Sequence, residues 1–240
     1  MTQTERSLSQ VREQRSLLQQ QGQETQQTRM LLVGLVLAAG KGSRFSPDRR
    51  QSKLMAPGPD GRPLALCAAQ ALSTAMAPVY LAVGPTFPAL KTLAEENGYA
   101  SLWCPHAGLG QGHTIADAVA QLRRLHPQAA VCILPGDMPC VAASTVQRLR
   151  DAWLNLDDAA RRKAVLAPVF QQQRGHPVLL GPDWLEPLSG LSGDEGAKQL
   201  IRPFLKTVPV EDPGCLQDID TPSDLQALCA APPAQVQRSL

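Results

Sequence analysis

Three features of the sequence place chemistry-bearing residue types where they could handle a polyphosphate. The first is Leu37-Ala38-Ala39-Gly40-Lys41-Gly42-Ser43-Arg44-Phe45, which directly follows an aliphatic run. Small residues and glycines let backbone N–H groups approach phosphate oxygens closely, and Lys41 and Arg44 add positive charge. Two commoner phosphate loops are excluded. A P-loop has four residues between its first glycine and the Gly-Lys pair, followed by Ser or Thr. Here five residues separate Gly34 from Gly40, and Gly42 follows Lys41. A dinucleotide fingerprint needs a third glycine where this chain has Phe45. The second feature is Lys53, in Gln51-Ser52-Lys53-Leu54, at a distance that lets it fold back on the loop; alone it reads as a surface lysine. The third is a pair of acidic segments, Pro135-Gly136-Asp137-Met138-Pro139 and Asp218-Ile219-Asp220-Thr221-Pro222-Ser223-Asp224. Mg²⁺ takes one or two protein carboxylates together with substrate phosphates. Asp137 is held as such a ligand would be, although a lone Asp in a turn more often caps it. Asp220 is the better second ligand and Asp218 the alternate, while Thr221-Pro222 as a helix start explains part of that cluster by capping.

These residues need elements that bring them together. The aliphatic run Leu31 to Leu37 has the length and flanks of a buried strand. Residues 64–77 read as a helix stopped by Pro78, Val79 to Val83 as a strand, and 86–97 as a helix closed by Asn97-Gly98. Tyr99 to Cys104 and Ala130 to Leu134 are further strands, and Thr114 to Leu125 carries apolar residues at helical spacing. Ser144 to Leu156 is a helix with Ser144 or Thr145 as its N-cap. Strand alternating with helix four times predicts an α/β fold: a Rossmann-like, open, mostly parallel sheet with helices on both faces. Ligands then lie at the carboxyl ends of the strands, where Gly40 and Asp137 fall. Past residue 160 the pattern loosens. Val165 to Phe170 and His176 to Leu180 flank Gln171-Gln172-Gln173-Arg174-Gly175, a hairpin or an excursion over the sheet, before a short strand at Thr207 to Val210 and a helix from Pro222 to Cys229.

Composition sets bounds. The 240 residues carry a formal charge of +2, which gives no electrostatic footprint for nucleic acid. No apolar run reaches the roughly 18 residues of a membrane span. Residues 1–29 are polar and glutamine-rich, without a signal-peptide core, and read as a flexible leader with nothing to direct the chain out of the cytoplasm. In that leader Leu8, Val11, Arg15 and Leu18 could line one side of a short helix. Residues 30–229 form the predicted domain and 230–240 a loose tail. The six cysteines include no Cys-x-x-Cys pair, so zinc and thioredoxin-type sites are not expected.

Taken together, the quoted residues resemble the nucleotidyltransferase superfamily, whose loop reads Leu-Ala-x-Gly-x-Gly-x-Arg-Met/Phe and whose downstream lysine completes the site. Within it the chain is most similar to the molybdenum cofactor cytidylyltransferases. The likeness rests on Leu37-Ala38-Ala39-Gly40, Arg174-Gly175-His176-Pro177-Val178, Leu191-Ser192-Gly193-Asp194-Glu195-Gly196-Ala197 and Asp218-Ile219-Asp220-Thr221-Pro222. The related guanylyltransferases usually have glycine where this chain has Ala39. The resemblance implies transfer of CMP from CTP to a molybdopterin-type cofactor with release of pyrophosphate, and a molybdoenzyme or its maturation chaperone as recipient. By position, Leu37 to Gly42 with Gly110 and Gln111 would bind the nucleotide. Arg44 and Lys53 would be catalytic, Asp137 and Asp220 would hold Mg²⁺, and Arg174, His176, Asp194 and Glu195 would face the acceptor. The chain departs from the family at Gly108-Leu109-Gly110-Gln111-Gly112-His113-Thr114, where Gly-x-Gly/Ala-Ser-Leu is frequent, and at Ser46 and Ser52, where glycine and proline are common. The alternatives are another phosphorylated acceptor (a sugar phosphate or methylerythritol phosphate), GTP-dependent guanylyl transfer, and a non-catalytic carrier of a nucleotide-bearing cofactor.

Overall fold

A computed structural model describes residues 30–40, 42, 45, 52–58, 60–194 and 196–230. The chain divides at Met30, and everything described below lies in the unit that begins at Leu31. The leader, the tail from residue 231, and the site candidates Lys41, Arg44 and Glu195 fall outside the described residues.

Eight strands form one sheet: β1 (Leu32–Leu37), β2 (Val79–Val83), β3 (Ala100–Trp103), β4 (Ala130–Pro135), β5 (Val165–Phe170), β6 (Gln173–Arg174), β7 (Val178–Leu180) and β8 (Lys206–Pro209). Their order is β3-β2-β1-β4-β7-β5-β6, with β8 beside β5. The first four strands are parallel, as the alternating pattern requires. The second half is mixed, because β7 runs antiparallel between β4 and β5 while β8 runs parallel to β5. β2 is buried along its whole length, since helices cover both faces.

The helices are α1 (Leu64–Ser73), α2 (Ala89–Glu96), α3 (Gln111–Leu125), α4 (Ala143–Leu154), α5 (Asp158–Lys163), α6 (Leu185–Ser189), α7 (Lys198–Ile201) and α8 (Pro222–Ala230). One face of the sheet, with Leu35, Ala82, Val131, Ile133 and Leu180, packs on Ile115, Val119 and Leu122 of α3 and on Leu185 and Leu188 of α6. The inside-out alternation of a strand sends the intervening residues, such as Val36 and Leu134, to the opposite face, where α1 contacts β1 and β4. Among the described residues no helix is long and apolar enough to cross a membrane.

Several expected boundaries move, each for a local reason. α1 ends at Ser73 rather than at Pro78, because the Thr74 backbone N–H turns back to Ala71 and Leu72 and its hydroxyl to Ala71. α3 starts at Gln111, three residues early, after Gly110 takes a positive φ of 133 that only glycine adopts readily. The N-cap of α4 is Ala142, not Ser144 or Thr145, and Ala142 has no side chain with which to cap. The cap comes from Asp212, distant in sequence, whose carboxylate accepts from Ala142 N (2.9 Å) and from Thr145 Oγ1 (2.7 Å). The segment after β5 is a hairpin: Gln171 and Gln172 turn at φ 46 and 66, and Phe170 pairs with Gln173. A two-residue turn with both φ positive suits Asn-Gly, so Gln-Gln is a strained choice. The returning strand is then interrupted: His176 and Pro177 precede β7 instead of belonging to it.

Candidate active site

The register Leu37↔Pro135 ends β1 and β4 side by side, so the loop from Ala38 and the turn at Asp137 lie next to each other. Gly136 N donates to Leu37 O at 3.0 Å, tying the two ends together. Ala38 and Ala39 are buried, and Ala38 N–H is spent on Ala82 O (2.9 Å), whereas Gly40 emerges to solvent. Gly42 takes φ +57, and a Cβ built there would lie 3.7 Å from Lys53 Cγ. The lysine does fold back against the loop.

Lys53 opens a short 3₁₀ turn, Lys53–Met55, whose N-cap Ser52 is buried and accepts from Leu54 N at 3.3 Å. Its ammonium donates to Asp137 Oδ2 at 2.6 Å and to Asp220 Oδ1 at 3.1 Å. The two acidic segments meet because Ile219 N donates to Asp137 O at 2.9 Å. Asp220 precedes α8, where Thr221 Oγ1 accepts from Asp224 N (3.2 Å) and the Asp224 carboxylate accepts from Thr221 N (2.7 Å) and Asp220 N (3.0 Å). This is a capping box with aspartate in its last position. Helix capping therefore accounts for Asp224 and leaves Asp220 turned to Lys53. Burial works against the charge on Lys53, but the Asp137 carboxylate, then Asp220, outweigh it and hold its pKa above the ordinary lysine value. Among the described residues no group of three or more His, Cys, Asp or Glu forms a metal cage. Two carboxylates whose remaining positions are filled by phosphate oxygens nevertheless fit the coordination habit of Mg²⁺.

Beside this cluster runs a cleft of about 540 Å³. Its walls include Leu37, Ile115, Ile133, Leu180 and Ile201, and its polar groups include Gln111, Asp137, Arg174, His176, Lys198 and Asp218. Arg174 and His176 reach it through the interrupted strand. His176 N donates to Cys215 O at 2.9 Å instead of to the sheet, and a Cβ on Gly175 would collide with that same carbonyl. Glycine is required for this close approach. Burial, then the neighbouring Arg174, push the His176 imidazole down to about 4, and Asp137 opposes them only in part. His176 is therefore neutral near pH 7. Cys67 and Cys104 are pushed up to about 11 and about 12, mainly by burial, and are not nucleophiles.

The loop carrying Asp194 docks on the start of α3. Gly112 N donates to Gly193 O at 2.9 Å, and Gly110, at φ +133, approaches so closely that a Cβ would strike Asp194 Oδ1 and Gly193 O. Asp194 thus stands against Gly110 and is exposed, outside the cleft lining, while Gln111 lines the cleft. The structure gathers Leu37, Gln111, Asp137, Arg174 and His176 around one cavity, with Lys53 and Asp220 joined to it through Asp137. The residue that sequence reading passed over is Lys198; its only signal is its place directly after the Leu191–Ala197 stretch.

Residues 34–210 match the family described as the MobA-like NTP transferase domain. No curated protein sequence matches the chain. Among solved structures, Rv0371c of Mycobacterium tuberculosis H37Rv in complex with manganese aligns with a TM-score of 0.65 at 22% identity, covering 85% of this chain and 100% of that one. A nucleotidyl transferase from Methanothermobacter thermautotroptrophicus aligns at 0.66 and 18% identity, over 82% and 95% of the two chains. CMP:2-keto-3-deoxy-manno-octonic acid synthetase complexed with CTP aligns at 0.61 and 14% identity, over 85% and 98%. At these identities the likeness is one of fold.

Proposed function

Because the chain belongs to the MobA-like NTP transferase family, we propose that it is the cytidylyl-transferring kind, moving CMP from CTP to the terminal phosphate of a molybdopterin-type acceptor and releasing pyrophosphate. The observation that carries this reading is Lys53, held between the carboxylates of Asp137 and Asp220 at the carboxyl ends of β1 and β4. A non-catalytic carrier of a nucleotide-bearing cofactor has no use for such a charge cluster. The acceptor phosphate is already anionic near neutral pH, so attack on the α-phosphorus needs no general base. It needs two anions aligned and the growing negative charge neutralised. Lys53 and Arg44 supply cationic groups to the triphosphate, and Leu37 to Gly42 cradle it. Asp137 and Asp220 would hold the divalent cation, a role in keeping with the manganese complex of the mycobacterial protein of like fold. The chemistry that cation supplies there is neutralisation of phosphate oxygens.

The second substrate lies in the cleft. Apolar walls from Leu37, Ile115, Ile133 and Ile201 suit the flat body of a pterin better than a polyhydroxylated sugar, which would leave hydroxyls unpaired. His176, neutral, offers one donor and one acceptor to the ring edge. The CTP in the octulosonate synthetase complex is consistent with a cytidine nucleotide on this fold. The test is a pyrophosphate-release assay with each of the four NTPs and molybdopterin. CTP should give the highest kcat/KM. Turnover with a sugar phosphate or methylerythritol phosphate but none with molybdopterin would reassign the acceptor, and preference for GTP would reassign the nucleotide.

A further inference from the structure

The geometry points to Arg174 and Lys198 as a two-cation subsite for the acceptor's phosphate, a dianion of the phosphate-monoester class. The inference rests on the nucleotidyl-transfer reading above and names the group that delivers the nucleophile. Both residues line the cleft, Arg174 from β6 and Lys198 from the first position of α7. Among the described residues neither has a carboxylate within ion-pair distance. Arg62, Arg123, Arg150, Arg161 and Arg162 each have one, and the other described cations that lack one, such as Arg124, Arg148 and Arg202, do not line the cleft. Two cations with no counter-ion among the described residues, beside an apolar wall, are the complement of an anionic ligand.

Charge balance in the cleft leads to the same place. Asp137 and Asp218 line it, and an incoming dianion is repelled by both. Lys53 offsets part of that charge through its ion pair with Asp137, but, shared with Asp220 as well, it has none to spare for a second phosphate. His176 carries no charge near pH 7. Arg174 and Lys198 are the cleft-lining groups that remain to draw the phosphate in. Their neighbours are anchored: Gly175 is wedged against Cys215 O, Gly193 accepts from Gly112 N at the start of α3, and Gly196 packs on Gln111. Each long side chain therefore works from a rigid base, as orientation of a nucleophile requires.

The experiment uses the full chain and phenylphosphonate, a dianion with an apolar body, titrated by calorimetry with and without saturating CTP and Mg²⁺. Filling the triphosphate loop with CTP leaves only the second subsite to read. Phenylacetamide, of similar bulk and uncharged, is the control. Lys198→Ala and Arg174→Ala should each weaken phenylphosphonate about tenfold, the effect of removing one charge-assisted hydrogen bond. Lys198→Arg should restore binding, and CTP affinity and melting temperature should stay at wild-type values. Unchanged phenylphosphonate affinity in both alanine variants overturns the subsite, as does an equal loss for phenylacetamide, which would signal a structural role. If the phosphonate results hold while wild type releases no pyrophosphate from any NTP, the subsite stands and the nucleotidyl-transfer reading falls.

Discussion

Lys53, Asp137 and Asp220 carry side-chain exposures of 12%, 22% and 32%, so their mutual attraction is neither fully screened nor fully desolvated. Among the described residues one ammonium stands between two carboxylates, and under the proposed reading their excess negative charge would receive the divalent cation with the triphosphate. Replacing Lys53 by Ala, or Asp137 by Asn, should lower kcat by about 10²–10³-fold, the scale of losing one preorganised charge at a reacting phosphate or carbonyl. Steady-state pyrophosphate release with a circular-dichroism check on folding measures it, and wild-type turnover in a folded Asp137→Asn variant would sink the assignment. His176 gives a pH prediction of definite sign. Its folded-state pKa of about 4 lies below the ordinary 6.5, so the unfolded chain binds the proton more tightly. This contribution to stability is whole above pH 6.5 and is lost as pH falls toward 4, by up to roughly 3 kcal/mol. Urea melts at several pH values should show that slope in wild type and lack it in His176→Gln. The acceptor's phosphate titrates near pH 6 by itself, so the pH profiles of acceptor binding in wild type and His176→Gln should run parallel between pH 6 and 8, with no added step from the imidazole.

At the scale of elements, distant segments stand in for what local sequence lacks. Asp212 is buried and accepts three hydrogen bonds, from Ala142 N, Thr145 Oγ1 and Gly214 N. Truncating it leaves those donors without a partner, and Asp212→Ala should cost about 2–4 kcal/mol of stability by chemical denaturation. An unchanged midpoint would mean water replaces the carboxylate. The capping role of Asp212 was invisible in the sequence, where Ser144 and Thr145 offered nearer candidates. Capping depends on which chain end folds over the helix start, and no local pattern records that. The repeating strands and helices up to Leu154 were legible because burial on both faces leaves aliphatic runs between turn residues. The antiparallel strand between β4 and β5 was not, since Val178–Leu180 is too short to show direction. Of the site, the loop and the acidic segments were visible as residue types, whereas Lys53 looked like any surface lysine until Ile219 and Asp137 brought both carboxylates to it. The docking of the Asp194 loop on α3 was also beyond sequence reach. If these loops serve the nucleotide and the acceptor as proposed, Gly110→Ala, with a side chain at φ +133 and no room for it, should raise KM for both substrates together. A change confined to one substrate would show the loops to be independent.

The whole molecule closes its site with residues that lie past the family match. That match ends at residue 210, yet three backbone or side-chain links come later: Cys215 O receives His176 N, Ile219 N reaches Asp137 O, and Asp220 Oδ1 receives Lys53. With Asp212 capping α4, the segment from 211 to 220 ties the sheet's mixed half to the loop after β4. Losing it would leave a buried helix start uncapped, His176 without its anchor and Lys53 with one carboxylate. Each is a loss of about 1–3 kcal/mol, a large share of the 5–15 kcal/mol that holds a domain of this size. A chain ending at residue 210 should therefore be unfolded or inactive, although it contains the whole of the matched region. A chain ending at residue 230 should retain its melting temperature and its pyrophosphate release, and so should one lacking residues 2–29, since every described strand, the cleft and Lys53 lie between Leu31 and Ala230. Thermal melts and turnover of the three truncations decide the matter. Activity in the chain ending at 210 would show that the links made by Cys215, Ile219 and Asp220 are dispensable, and with them the reading of Asp220 as a ligand.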